Sequence, residues 1–159
     1  MLSKMSPLHL TCSNGMESTS KILVENNAIL DSQTAHEQET PLHLACSNNS
    51  LNTVQLLLSR GKSPNVYTSS RSLPLNRAKI EVARILLEHG SKVDGRALNG
   101  TALHDACRTK NIEMIELLLS YGADPLLKDR NKKTVFRIVQ ELGFREIEAM
   151  LQERRSNAS

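Results

Sequence analysis

The chain has 159 residues, 39% apolar and only 3% aromatic, with no Trp, so a core must be assembled from Leu, Ile, Val, Ala and Met, which favours thin helical layers. With 20 basic and 17 acidic residues the formal net charge is +3, too small to require nucleic acid as a partner. No uncharged apolar run approaches the roughly 18 residues of a membrane span and the first seven residues hold no hydrophobic leader, so a cytoplasmic or nuclear location is expected, with the three cysteines as reduced thiols.

In chain order, a phrase recurs. It opens as Ser6-Pro7-Leu8-His9-Leu10-Thr11-Cys12 and returns as Thr40-Pro41-Leu42-His43-Leu44-Ala45-Cys46. A degraded copy, Leu73-Pro74-Leu75-Asn76-Arg77-Ala78, precedes Thr101-Ala102-Leu103-His104-Asp105-Ala106-Cys107 and a remnant, Thr134-Val135-Phe136-Arg137-Ile138. The second residues of these phrases are 34, 33, 28 and 33 positions apart. A second phrase follows each of the first four: Ile22 to Ala28, Leu56 to Gly61, Ile85 to Gly90, and Leu117 to Pro125. Two phrases that stay in register over four copies define a repeat array.

The physics of one unit is legible. Thr40 or Thr101 suits a helix N-cap, and Pro41 fits the first helical position, where a missing N–H costs nothing. The short first helix carries Ala45, Cys46, Ala106 and Cys107 where layers must approach closely, and Ser47-Asn48-Asn49-Ser50 breaks it. The second helix places Ile112, Ile115, Leu118 and Leu119 at helical spacing. Gly61, Gly90 or Gly122 then suits a left-handed C-terminal position, with Asn27 serving in the first copy. Polar segments such as 31–39 and 129–133 lead to the next cap.

A period near 33, the Thr-Pro-Leu-His phrase and two helices per unit resemble the ankyrin repeat, over roughly Met1 to Gln152. The resemblance implies an all-α solenoid of stacked helix–turn–helix units with hairpin-like fingers. It also implies a concave face of fingers and first helices that binds other proteins. The expected domain is 1–155, with repeats near 1–38, 39–71, 72–99 (truncated), 100–132 and 133–155 (a C-terminal cap), then a polar tail at 156–159. Carried over residue by residue, the partner-facing positions are His36, Glu37, Glu39, Ser47 and Asn48 on the second repeat. On the fourth they are Ala97, Leu98, Gly100, Arg108 and Thr109, and on the last finger Arg130, Asn131 and Lys133. Arg108 and Arg130 are the first to test, because interface hot spots favour Arg.

The third copy departs from the pattern. Ala45 and Leu51 are six positions apart, but Ala78 and Ile80 only two, so the turn between helices is missing, and the next finger is one residue short. The stretch from Leu75 to His89 contains no Gly or Pro and could run as one continuous helix; this copy is expected not to form two antiparallel helices, with the weakest joint at 76–81. In the last copy Glu148 and Gln152 replace Ile115 and Leu119, the polar outer face of a terminal repeat. At the other end Leu2, Met5 and Leu8 are expected to be poorly covered.

His-x-x-Cys occurs at His9/Cys12, His43/Cys46 and His104/Cys107, a spacing that puts each pair on one helix face where it could hold a metal or form a nucleophile–base pair. The structural reading is preferred: the resemblance implies that each His ties neighbouring fingers by hydrogen bonds and that Cys replaces a buried Ala. Scattered glycines exclude a phosphate loop. The expectation is therefore no enzyme, no cofactor, no metal and no small-molecule substrate, but a scaffold or adaptor for a protein partner, without nucleic acid or membrane. The alternative is a structural fragment or splice-type product of a larger ankyrin-repeat protein. The basic stretch Lys128, Arg130, Lys132 and Lys133 is read as a solvated loop or as contact with an acidic partner peptide.

Overall fold

The computed structural model describes residues 5–157, with side chains as far as Arg154. Its helices are α1 (Pro7–Ser13), α2 (Glu17–Glu25), α3 (Pro41–Ser47), α4 (Leu51–Ser59), α5 (Ile80–Glu88), α6 (Ala102–Arg108), α7 (Ile112–Ser120), α8 (Val135–Glu141) and α9 (Arg145–Asn157), with a 3-10 turn at Pro74–Arg77. Among the described residues the extended structure is a single bridge between Ala97 and Gly100. The fold is all-α and built of helix pairs. The chain divides into two compact units, one ending at Lys92 and the other starting at Val93.

In the first unit α1 packs on α2 and α3, α3 on α4 and on the 3-10 turn, and α4 on α2 and α5. Its core holds Leu8, Cys12, Leu42, Cys46, Leu57, Leu73 and Leu86, each at most 2% exposed. In the second unit α6 packs on α7 and α8, and α8 on α9, around Leu103, Cys107, Ile115, Leu118, Val139, Ile147 and Leu151. Each fully buried Leu contributes about 1.5–3 kcal/mol. The small Ala45, Cys46, Ala106 and Cys107 are all buried, as close approach of layers requires.

Local signals recur as the phrases do. Pro7 and Pro41 open α1 and α3. The second helices close with one bond type, the N–H of Ala28, Lys62, Ser91 or Ala123 donating to the carbonyl of Leu23, Leu57, Leu86 or Leu118. That closure puts Asn27, Gly61, Gly90 and Gly122 at φ between 60° and 82°, the left-handed region assigned to them from sequence.

The third copy does not form a continuous helix over 75–89. It has two elements: the 3-10 turn, then an extended step at Ala78 (ψ 140°) and Lys79 (ψ 171°), then α5. Two residues link these elements, where 48–50 and 109–111 supply three in the neighbouring pairs, and both are extended. The Asn76 side chain accepts the Leu73 N–H at 2.9 Å, which fixes the 3-10 turn before the chain straightens. The division between compact units also falls after Lys92 rather than at 76–81, since the 3-10 turn packs on both α3 and α5.

Leu8 corrects a second expectation, being 1% exposed; Met5 is half-buried, and Leu2 lies outside the described residues. The apolar surface of the first repeat sits instead at Leu10, Met16, Ile22 and Ile29, exposed by 49–70%. In the last pair Glu148 accepts the Gln140 amide at 2.7 Å, while Ile147 and Leu151 are fully buried on the inner face of α9. Helix α9 continues through Asn157, past the boundary expected at 155.

Candidate protein-binding surface

The fingers between helix pairs are built from one polar residue each. In the first, Thr34 accepts the Glu39 N–H on its hydroxyl at 3.0 Å and donates its own N–H to the Glu39 carbonyl at 3.0 Å. Thr68 repeats this with Ser72, at 3.0 Å for both bonds. In the last finger Asp129 Oδ1 accepts the N–H of Asn131 at 2.8 Å and of Lys133 at 2.9 Å, and the Asp129 N–H donates to the Lys133 carbonyl at 2.9 Å. These three side chains are buried, and Gln38, Arg71 and Lys132 supply the left-handed residue that turns each chain. The finger before α6 is shorter: Ala97 and Gly100 exchange backbone bonds directly. Gly100 there has φ 124°, and a Cβ would lie 2.9 Å from the His104 ring and 3.1 Å from Asp129 Cβ.

Below each finger the histidines act as ties. His9 Nδ1 accepts the Ser6 N–H at 3.1 Å, so the ring proton is on Nε2, which donates to the Glu39 carbonyl at 3.0 Å. His104 does the same with the Thr101 N–H at 3.2 Å and the Lys133 carbonyl at 3.3 Å. His43 accepts the Thr40 N–H at 3.2 Å, but its buried Nε2 makes no hydrogen bond of ordinary geometry. Burial, then the charge of Arg77, pulls His43 down to about 4, with the Ser72 and Val66 carbonyls opposing. Burial likewise lowers His104. The implied tie thus holds for His9 and His104 and fails for His43, next to the altered third repeat.

The thiols are inert by environment. Burial pushes Cys12 up to about 11 and Cys107 up to about 12, and raises Cys46 further. Both ring nitrogens of His9 and His104 are committed to structural bonds.

The carried-over surface positions divide into exposed groups and groups bonded within the chain. His36, Ser47, Asn48, Leu98, Thr109, Arg130 and Asn131 are exposed, and Leu98 is 53% exposed. Ala97 is half-buried, and Gly100 is buried. Glu37 takes the Ser69 hydroxyl at 3.2 Å, which lowers its carboxyl, and Ser69 N–H bonds the Glu37 carbonyl at 2.9 Å, joining two finger tips. Glu39 is ion-paired with Arg77, and Lys133 with Glu141. Arg108 reaches Asp105 at 3.0 Å and the buried Asp129 at 2.5 Å, so it braces the last finger from within. Burial raises the Asp105 carboxyl, with Arg108 opposing.

Asp129 stands inside the basic stretch, and nothing in the sequence alone assigned it an organising role. The available signal was its phase. Thr34, Thr68 and Asp129 precede the caps Thr40, Leu73 and Thr134 by six, five and five positions.

Helix pairs joined by hydrogen-bonded fingers define a helical repeat protein. The family profile described as ankyrin repeats (3 copies) matches residues 2–68 and 75–129. The chain belongs to the ankyrin-repeat family. It is similar to BCL-6 corepressor-like protein 1 of Homo sapiens, 44% identical over 64 residues, which cover 40% of this chain and 4% of that protein. It is also similar to an ankyrin repeat and LEM domain-containing protein 1 homolog of Caenorhabditis elegans (40% over 62 residues; 38% and 9%). A third relative is the 2-5A-dependent ribonuclease of Homo sapiens (37% over 59 residues; 36% and 8%). The matched region therefore spans less than a tenth of each of these relatives. Ankyrin repeats are generally protein–protein interaction modules and generally not catalytic, although the last relative is by name an enzyme. Among the described residues no helix is long and apolar enough to cross a membrane.

Proposed function

We propose that this chain is a non-catalytic scaffold or adaptor that holds a protein partner on its finger tips and first helices. One observation carries the reading. The finger bases are buried and hydrogen-bonded, while the tips and the ends of the first helices present His36, Ser47, Asn48, Leu98, Thr109 and Arg130 to solvent. Groups held in place before binding lose less freedom on binding, which favours recognition. Chemistry has little support, because the thiols are buried and both ring nitrogens of His9 and His104 are taken up by structural hydrogen bonds.

Co-purification from a cell extract with mass-spectrometric identification tests this. The double variants Ser47→Arg/Asn48→Arg and Leu98→Asp/Thr109→Arg are expected to lose the captured protein. Glu113→Lys/Glu116→Lys, on the exposed side of α7, is expected to retain it. Equal capture by all of these variants would remove the assignment.

A further inference from the structure

We infer that Lys128, Arg130 and Lys132 on the last finger form a recognition element for an acidic segment of a partner protein; the inference rests on the binding reading above and names the chemistry of the partner. These three cations are exposed, and among the described residues none has an anionic partner. Nearby carboxylates are consumed inside the fold. Asp105 and Asp129 hold Arg108, and Glu141 holds Lys133 and Arg137. The Asp129 side chain is 1% exposed, so the one negative charge in the run points inward and leaves the tip positive.

The tip is also fixed in advance. Asp129 bonds the Asn131 and Lys133 N–H groups and Lys132 sits at φ 60°, so the cations are displayed on a closed turn rather than a loose loop. Exposure alternates along the arm: Leu126, Lys128 and Arg130 face out, while Leu127 is half-buried and Asp129 buried. The same finger therefore displays an exposed Leu (53%) a few residues from two exposed cations. That combination fits a peptide with acidic and apolar side chains better than a phosphate backbone, which offers nothing to Leu126. The other tips do not share it, carrying His36 with Glu37 and Ser69 with Ser70.

The test is fluorescence anisotropy of the full chain with a labelled peptide of alternating Glu and Leu, its Gln-for-Glu counterpart, and a single-stranded oligonucleotide. The acidic peptide is expected to bind at least about tenfold more tightly than the Gln peptide, because three exposed ion pairs together supply about that factor. Its affinity is expected to fall as salt rises from roughly 50 to 200 mM. Lys128→Glu/Arg130→Glu/Lys132→Glu is expected to lose that advantage with an unchanged urea midpoint. Arg84→Glu/Lys92→Glu/Arg145→Glu, which changes net charge equally at other exposed positions, is expected to keep it. Equal binding of the Glu and Gln peptides, equal loss in both triple variants, or tighter binding of the oligonucleotide would overturn the inference. If the captured partner is lost by Leu98→Asp/Thr109→Arg but kept by the finger triple variant, the wider binding reading stands and this one falls.

Discussion

Asp129 links several parts of its unit at once, and its replacement separates them. Asp129→Ala leaves two N–H groups without an acceptor and Arg108 with Asp105 as its remaining ion-pair partner, an expected loss of about 2–3 kcal/mol. Asp129→Asn keeps an acceptor for the backbone and is expected to cost less; urea unfolding of both variants measures the difference. The acid stability of the chain follows from groups of this kind. Burial works against ionisation of Asp129, but the Lys133 and Asn131 N–H groups, Arg108 and His104 together hold its carboxyl below the usual 3.8. Stability from that group is present above 3.8 and is lost as pH falls further. His43 acts in a higher window. Its folded value of about 4 lies below the usual 6.5, so the unfolded chain binds the extra proton first. Unfolding free energy is therefore expected to fall by about 2–3 kcal/mol as pH drops from 6.5 to 4 and then to level for this group. His43→Gln is expected to flatten that part of a pH series of urea midpoints.

Among the elements, glycines with similar φ signs have different roles. Gly122→Ala meets no atom within 4 Å and bears only the left-handed backbone cost of about 1 kcal/mol, whereas Gly100→Ala drives a Cβ into His104 and Asp129. Thermal melting is expected to place Gly100→Ala clearly below Gly122→Ala; equal melting temperatures would mean that the short finger yields. In the third repeat, the amides of Lys79, Ile80 and Glu81 precede the first hydrogen-bonded turn of α5, and Lys79 has no side-chain cap bond. Hydrogen exchange is expected to be much faster there than at Leu86 and Leu87. The sequence exposed the fault in this repeat through the spacing of Ala78 and Ile80, but not its form. Helix propensity across Leu75 to His89 argued for one helix. Packing of Pro74 and Leu75 into the buried layer, and the Asn76 bond to Leu73, favoured a 3-10 turn and a break. Propensity is the weaker effect where an apolar face must meet α3.

Across the molecule, caps, closing residues and core positions were legible because each recurs at one phase of a repeat. Thr34 and Thr68 share a residue type that Asp129 lacks, so their common role at the finger bases is marked in the sequence only by their phase before each cap and becomes plain in the hydrogen bonds. The division of candidate surface residues was equally hidden. Arg108 and Arg130 read alike in sequence, yet one braces Asp129 and the other is exposed. For that reason Arg108→Ala is a poor probe of binding, since it also unpairs a buried carboxylate. Amide hydrogen exchange of the full chain, with and without its captured protein partner, tests the binding surface most directly. Added protection is expected at 34–39, 47–48, 97–98, 108–109 and 130–133. Protection confined to α4 and α7, with these segments unchanged, would contradict binding through finger tips and first helices.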